Sequence, residues 1–232
     1  MRKPRRIFRY GPLAVLLEWE TIIDPAVNDA VHAYREALAG WPHVTDCVPA
    51  YASLMVVFDR PVREVDMDRL FELQMPDNWN TENIIHHLPV LYGGEGGPDL
   101  EDVAALTKLT KDEVINLHCG RDYRVFQLGF SPGFGFLGVT DHRLAVPRLS
   151  TPRASVTAGS VAIAGNQTAI YPRVSPGGWR IVGRCPLPML NENVAHLGNL
   201  SRLAAGDTVR FTRVNDRKFT HLLQNPAAWK IR

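Results

Sequence analysis

Cysteine is scarce in this sequence of 232 residues, which contains only Cys47, Cys119 and Cys185. The three are widely separated, and they form neither a C-x-x-C pair nor, with histidine, the spacing of a zinc site. An odd number of isolated cysteines is typical of reduced thiols in the cytosol rather than of a disulfide framework. We therefore expect a cytoplasmic protein without a metal site.

Long apolar segments and a strong charge imbalance are also missing. The apolar run at residues 13–17 is too short for the core of a signal peptide, and Glu18 and Glu20 follow it. No segment approaches the roughly 20 apolar residues that a transmembrane helix needs. With a formal net charge of +2, the chain lacks the broad basic field that attracts nucleic acid. We expect neither a membrane nor a nucleic acid as a partner.

The first 88 residues predict a small α+β domain. Asp24 followed by Pro25 is typical of a helix start, and Gly40 closes this helix after apolar residues at helical spacing. Apolar runs between turn residues predict strands at 8–19, 44–50 and 51–58, and a second helix is expected at 66–75. The strand expected at 84–92 follows a polar linker, and the sequence allows it to belong to either of the two domains. We place the boundary between residues 88 and 89.

Residues 89–232 predict a second domain that is rich in β-strand. After two predicted helices, the second of which starts at the capping box Thr110–Glu113, short strand-like segments are separated by turn residues. Such a pattern is typical of a closed or partly closed β-barrel. The predicted fold class is therefore α+β, with a small N-terminal α+β domain followed by a β-barrel domain.

Residues 126–190 hold nine of the 18 glycines and seven of the 17 prolines. Because both residue types act on the backbone angle φ, such a density specifies the path of the chain rather than a helix. The segment Gly133–Gly138 matches the dinucleotide-binding pattern G-x-G-x-x-G. However, Pro132 precedes it and no helical pattern follows, so we reject that interpretation. The glycines instead predict a loop that presents Phe134 and Phe136 to a core or to a cleft.

Two arginines in the same segment are candidates for anion binding. Arg148 and Arg153 lie five positions apart in a stretch whose prolines limit their freedom. Two planar guanidinium groups held in this way suit a carboxylate or a phosphate. Salt bridges to acidic residues elsewhere in the chain explain them equally well. Trp179, which follows a Pro-Gly-Gly turn, either fills the barrel or contributes to a cleft.

A series of ordered motifs resembles the KipI or allophanate hydrolase subunit 1 family. The motifs are PVLY at 89–92, GPDL at 97–100, GFSPGF at 129–134, PR at 147–148, TPR at 151–153, AGSVAIAG at 158–165, QTAIYP at 167–172, SPGGW at 175–179 and GR at 183–184, together with His118. The resemblance extends from about Tyr10 to Phe211. The chain departs from the family pattern at Phe136, Ala169 and Cys185, where tyrosine, glycine and threonine are more usual.

The resemblance implies a cyclophilin-like fold for the barrel domain and a role as one subunit of an enzyme. The chain is similar to proteins of an ATP-dependent 5-oxoprolinase complex, an amide (lactam) hydrolase that converts 5-oxo-L-proline to L-glutamate. The implied partners are a sister cyclophilin-like subunit of the C type and a third subunit of the A type, and the chain is expected to be inactive alone. The resemblance implies that ATP is used by the complex, at a site on this chain or between subunits.

The resemblance also implies a set of site residues, with no metal among them. Arg148, Arg153 and Arg184 are expected to bind the substrate carboxylate or to stabilise phosphoryl charge. Gln167 and Tyr171 are expected to orient polar atoms. Asp99 and His118 are candidates for proton transfer, although each also has a plain capping or packing role. The catalytic candidates are Arg148, Arg153, Gln167, Tyr171, Asp99 and His118, and the substrate-binding candidates are Phe134, Trp179 and Arg184.

The same resemblance leaves two other functions open. The family includes an inhibitor of a sensor histidine kinase whose cyclophilin-like domain docks on the kinase, and the same arginines and aromatic rings would then form a protein interface. Similarity to the carboxyltransferase part of biotin-dependent urea carboxylase points instead to urea or allophanate metabolism. Because the sequence has no Met-Lys-Met biotin-attachment motif, a biotin group would have to arrive on a partner.

Overall fold

The computed structural model describes residues 2–75, 84–191 and 200–229. The chain divides into two compact units, residues 1–82 and 83–232. This division lies before the boundary expected between residues 88 and 89, because the strand Ile85–Tyr92 is hydrogen-bonded along its length to strands of the second unit.

Over residues 2–75, the part of it that the structure describes, the first unit is a four-stranded antiparallel sheet with two α-helices. Its elements are β1 (Arg6–Arg9), β2 (Ala14–Glu18), α1 (Pro25–Ala39), β3 (Val44–Pro49), β4 (Ser53–Phe58) and α2 (Glu64–Glu72), and the strand order is β1-β2-β4-β3. The segment predicted as one strand at 8–19, with a bend at Gly11-Pro12, is a hairpin of two strands. The chain reverses at that bend, where the φ of Gly11 is +102°. Helix α1 starts as expected, since the Asp24 carboxylate accepts the backbone N–H groups of Ala26 and Val27.

Within its described residues, 84–191 and 200–229, the second unit is a closed β-barrel with a separate two-stranded ribbon and three α-helices. The barrel strands are β5 (Ile85–Tyr92), β6 (Asp122–Leu128), β7 (Gly135–Gly138), β9 (Ser160–Ala164), β10 (Gln167–Ile170), β12 (Arg180–Arg184) and β13 (Thr208–Arg213). They follow one another around the barrel in the order β10-β7-β6-β13-β5-β12-β9. The ribbon consists of β8 (Arg153–Val156) and β11 (Ser175–Gly177). The closed barrel confirms the expected α+β fold class.

The helices of the second unit are short. They are α3 (Leu100–Thr107), α4 (Lys111–Cys119) and α5 (Asp216–Gln224). The predicted capping box starts α4: the Thr110 hydroxyl accepts the Glu113 backbone N–H, and the Glu113 carboxylate accepts the Thr110 backbone N–H at 2.7 Å. In the ranges that the structure describes, no helix has both the length and the apolar character that a membrane crossing requires.

The barrel interior is filled by side chains, and a smaller cluster lies beside the ribbon. Residues such as Val125, Leu137 and Phe211 are almost fully buried inside the barrel. The smaller cluster includes Phe134 and Tyr171 and continues to Val156 on β8. Because side chains fill the barrel interior, we expect a ligand-binding site at the surface, where the smaller cluster supports a cleft.

Candidate functional site

A cleft of about 290 Å³ opens beside the β8–β11 ribbon. Five aromatic side chains, one arginine and the turn residues of the ribbon line it, and we name it the aromatic cleft. The lining residues are Phe130, Phe134, Phe136, Tyr171, Trp179, Arg148, Pro152, Pro176, Gly177 and Gly178. A concave, mostly apolar site with a single cation is typical of pockets that bind small organic anions.

Phe134 is the hub of this aromatic cluster and is only 2% exposed. Its ring lies edge-on to four others, with centroid distances of 5.3 Å to Phe130, 4.9 Å to Phe136, 5.2 Å to Tyr171 and 5.9 Å to Trp179. Gly133, with a φ of +77°, turns the chain just before Phe134 so that the ring points inward. Since edge-to-face contacts are favourable for aromatic pairs, Phe134 fixes the positions of the rings that face the opening.

Arg148 supplies the positive charge of the aromatic cleft. Its guanidinium carbon lies 5.7 Å from the centroid of the Trp179 ring, within the range of a cation–π contact. The side chain is exposed, and it forms no ion pair with any residue of the described ranges. Arg148 is therefore available to bind the carboxylate or phosphate of a ligand.

Arg153 has a different environment. Its Nη2 donates to Asp99 Oδ1 at 2.6 Å, and the other carboxylate oxygen of Asp99 accepts the Ile181 backbone N–H at 2.6 Å. Asp99 precedes α3 but makes no side-chain cap there, and it is 4% exposed. The buried carboxylate thus joins the start of the ribbon to the start of β12, next to the aromatic cleft. Both of its oxygens are engaged in holding that wall, which favours a positioning role over proton transfer.

Tyr171 brings a polar atom to the wall of the aromatic cleft. Burial raises the pKa of the Tyr171 phenol, although a hydrogen bond with the Trp179 backbone and the charges of Arg148 and Arg153 lower it in part. The hydroxyl is therefore neutral near pH 7. A β-carbon at Gly177 would collide with this hydroxyl, so glycine at 177 is what allows the ring its position.

His118 lies inside the barrel rather than at the aromatic cleft. Its ring is stacked on Phe211 at a centroid distance of 4.6 Å and is fully buried. Nδ1 lies 2.6 Å from the Tyr92 hydroxyl and Nε2 lies 2.9 Å from Thr168 Oγ1. Because the Thr168 hydroxyl donates to the Ala162 carbonyl at 3.0 Å, its oxygen accepts from Nε2–H, and Tyr92 donates to Nδ1.

This network keeps His118 neutral. Burial lowers the pKa of the His118 imidazole to about 3. A neutral histidine whose two ring nitrogens are both engaged in the core is well suited to holding α4 on the barrel. The same engagement makes it a poor group for exchanging a proton with a ligand in the aromatic cleft.

Arg184 and Gln167 lie outside the aromatic cleft. Arg184 lines a second, polar cavity of about 640 Å³ together with the loop Gly93–Gly96 and the first turn of α5. Its Nε donates to the Ala158 carbonyl at 3.3 Å. Gln167 begins β10, opposite Gly138 and Ala164 in the barrel wall. Four of the nine candidate site residues therefore line one cleft, namely Phe134, Arg148, Tyr171 and Trp179, with Arg153 and Asp99 directly beside it.

Phe130 is a lining residue that the sequence analysis does not single out. It precedes the turn Ser131–Gly133, and its ring is 65% exposed at the opening of the aromatic cleft. The sequence signals for this position are Gly129 directly before it and its place in the family motif GFSPGF at 129–134. Among the residues that the structure describes, no group of three or more His, Cys, Asp or Glu side chains is placed to hold a metal ion.

Comparisons with known proteins give relatives over most of the chain. Residues 5–197 match the family model of the carboxyltransferase domain, subdomain C and D. The 5-oxoprolinase B subunit of Bacillus subtilis (strain 168) is 38% identical over 234 residues, which cover 92% of this chain and 95% of that protein. The protein with the same name from Escherichia coli O157:H7 is 35% identical over 89% of this chain and 94% of its own length.

Solved structures share the fold. TTHA0988 has a TM-score of 0.77 and 35% identity over 87% of this chain, which spans only 40% of that longer chain. The urea carboxylase of Kluyveromyces lactis has a TM-score of 0.73 over 97% of this chain and 24% of that one. At 17% identity, the second likeness shows the fold alone.

Proposed function

Because the chain belongs to the family of the carboxyltransferase domain, subdomain C and D, and is closely similar to 5-oxoprolinase B subunits, we propose that it is one subunit of an ATP-dependent 5-oxoprolinase complex. In this proposal the complex hydrolyses 5-oxo-L-proline to L-glutamate in the cytoplasm. Its other members are a sister cyclophilin-like subunit of the C type and a third subunit of the A type. The observation that carries the proposal is the 38% identity over nearly the full length of both proteins.

The aromatic cleft supports this substrate. 5-Oxoproline is a small ring with a planar lactam amide and one carboxylate, and the cleft offers about 290 Å³ with one unpaired guanidinium. Arg148 binds the carboxylate by charge-assisted hydrogen bonds. Phe136 and Trp179 contact the ring, and the neutral Tyr171 hydroxyl orients a polar atom of the lactam. Arg153 and Asp99 keep the wall beside the ligand in place.

The chemistry explains why ATP is needed. A lactam carbonyl is a poor electrophile because the ring nitrogen donates electron density to it. Transfer of the γ-phosphoryl group of ATP to the carbonyl oxygen turns that oxygen into a good leaving group. Water then adds to the same carbon, and expulsion of the ring nitrogen opens the C–N bond and leaves a γ-glutamyl phosphate. A second water attacks this acyl phosphate and displaces phosphate to give glutamate. The task of this chain is to hold the ring in one orientation and to exclude water until the phosphoryl group is transferred.

The nucleotide binds outside the aromatic cleft in this proposal. The cleft, of about 290 Å³, is assigned to the substrate. ATP is then bound elsewhere on this chain or at a boundary with another subunit. A site shared between subunits would explain why the chain alone is inactive.

Reconstitution of the complex tests the proposal. The chain is co-expressed with its candidate C-type and A-type partners, and loss of 5-oxo-L-proline is followed with ATP, with ADP and with each subunit omitted. We expect turnover only with ATP and with all subunits present. Full turnover by the chain alone, or no turnover by the complete complex, would overturn the proposal. Capture of a histidine kinase without any such turnover would favour the inhibitor function instead.

A further inference from the structure

Phe130 has a backbone conformation that its side chain disfavours. Its φ is +65°, in the left-handed region, where a bulky residue is an outlier. For an L-residue this region costs roughly 1–2 kcal/mol, because the β-carbon approaches the following carbonyl oxygen. Glycine would adopt the same angle freely.

The hydrogen bonds of the loop explain the angle but not the side chain. The Ser131 N–H donates to the Gly129 carbonyl at 2.7 Å, and the Phe134 N–H donates to the Ser131 carbonyl at 3.0 Å. These bonds close a tight turn that requires the left-handed angle at position 130. They involve only backbone atoms, so a glycine at this position would keep them.

Packing does not explain the side chain either. Phe130 is 65% exposed, and its ring lies edge-on to Phe134 at a centroid distance of 5.3 Å. An aromatic side chain that is mostly exposed gains little from burial. Strain that neither the local fold nor the core requires is typical of functional positions.

The location of the ring indicates what it contacts. Phe130 stands at the opening of the aromatic cleft, whose other lining residues include Trp179 and the unpaired Arg148. A ligand whose anionic group is bound by Arg148 would therefore have its ring among aromatic side chains. Flat rings make their best contacts with aromatic side chains by stacking or by edge-to-face packing.

We propose that Phe130 is a specificity-determining residue that covers one face of a planar, cyclic carboxylate bound in the aromatic cleft. The identity of the natural ligand rests on the proposed function, in which it is 5-oxo-L-proline. The ligand class, a cyclic carboxylate with a flat face such as a lactam amide or an aromatic ring, does not depend on it. Puckered rings of the same size would fit this surface less well.

The test compares two ring deletions that differ only in backbone strain. Phe130→Gly removes the ring and the strain, whereas Phe130→Ala removes the ring and keeps the strain. Phe130→Tyr serves as the conservative control because it restores a flat ring. Thermal unfolding gives the stability of each variant. Calorimetric titration measures affinity for 5-oxo-L-proline and for the matched probes benzoate and cyclohexanecarboxylate, which are a planar and a puckered carboxylate.

The proposal predicts that the glycine and alanine variants differ in stability but lose binding alike. Phe130→Gly should melt roughly 2–4 °C above Phe130→Ala. Both should bind benzoate at least about threefold more weakly than the wild type, with a smaller preference over cyclohexanecarboxylate. Phe130→Tyr should keep the benzoate affinity of the wild type and its preference for benzoate over cyclohexanecarboxylate.

Three results would overturn the inference. The first is equal thermal stability of the glycine and alanine variants. The second is an unchanged affinity of both variants for benzoate. The third is a wild type that binds neither benzoate nor 5-oxo-L-proline. If only the proposed function is wrong, the complete complex will leave 5-oxo-L-proline intact, while the variants will still differ in benzoate binding and in stability as predicted.

Discussion

Arg148 and Arg153 carry the same charge five positions apart, yet they have different environments. Arg153 is paired with Asp99, which lies 54 positions earlier in the chain, whereas Arg148 lies over the Trp179 ring. The sequence predicts both as anion-binding candidates and cannot separate them, because the pairing depends on a contact between distant segments. Tyr171 and Trp179 could be predicted from the turn residues and the family motifs. Phe130 could not, since its exposure follows from a turn whose geometry the sequence leaves undefined.

At the same scale, the Asp99–Arg153 pair should contribute to stability. Asp99→Asn removes the charge opposite Arg153 and leaves an amide oxygen for the Ile181 N–H. We expect a loss of about 1–3 kcal/mol in the free energy of unfolding, less than for a fully buried pair because the Arg153 side chain is 30% exposed. Urea denaturation measures this loss. Asp112→Asn, which breaks the exposed pair with Arg213, is the matched control, and equal effects of the two changes would contradict the assignment.

His118 should make stability depend on pH. In the folded chain burial lowers the pKa of its imidazole from 6.5 to about 3, so between these values the unfolded chain binds a proton that the folded chain does not. The neutral His118 therefore makes its full contribution to the free energy of unfolding above about pH 6.5. This contribution is lost progressively as the pH falls towards 3, by up to roughly 1.4 kcal/mol for each pH unit.

Denaturation curves at several pH values test this dependence. His118→Gln should flatten the fall in the free energy of unfolding below pH 6.5, where the unfolded imidazole begins to bind its proton. His221→Gln, at an exposed position in the last turn of α5, should leave the slope as in the wild type. Parallel curves for the wild type and His118→Gln would show that His118 does not titrate differently in the two states.

At the scale of the elements, local turn chemistry could be predicted and distant pairing could not. The capping box of α4 and the start of α1 follow from neighbouring residues and are as expected. The parallel pairing of β5 with β13 joins segments more than 100 residues apart, for instance His86 with Val209. No local pattern encodes such a partner, which is why the strand at 84–92 fitted either side of the linker. The same pairing places the division of the chain before β5.

The β8–β11 ribbon gives the sharpest prediction at this scale. Gly177 and Gly178 are neighbours that both line the aromatic cleft. A β-carbon at 177 would collide with the Tyr171 hydroxyl, whereas one at 178 would meet Pro152 at 3.5 Å, an ordinary contact.

Gly177→Ala should therefore displace Tyr171 and weaken ligand binding by about tenfold or more, while Gly178→Ala should remain near the wild type. Calorimetric titration with 5-oxo-L-proline or benzoate measures the difference. Thermal unfolding of both variants shows whether the effect is local to the cleft. Equal affinities of the two variants would mean that Tyr171 does not shape the site.

At the scale of the whole molecule, the family and the fold class could be predicted, and the composition of the site could be predicted only in part. Ordered motifs extend over most of the chain, and both the family model and the relative from Bacillus subtilis cover the same region. The closed barrel places one group of predicted residues around the aromatic cleft and places His118 inside the core. Which motif residues contact a ligand depends on how the barrel closes, and sequence order does not contain that information.

The most direct test of the central claim, that the aromatic cleft binds 5-oxo-L-proline through Arg148, is the kcat/KM of the reconstituted complex carrying Arg148→Ala. Loss of a charge-assisted hydrogen bond to the carboxylate predicts a fall of roughly 10- to 100-fold. Thermal stability should fall only slightly, because the exposed side chain makes no ion pair and loses only its cation–π contact with Trp179. Arg217→Ala, which removes an exposed arginine on α5 far from the lining residues in sequence, should leave kcat/KM as in the wild type. Equal kcat/KM for Arg148→Ala and the wild type would contradict the claim.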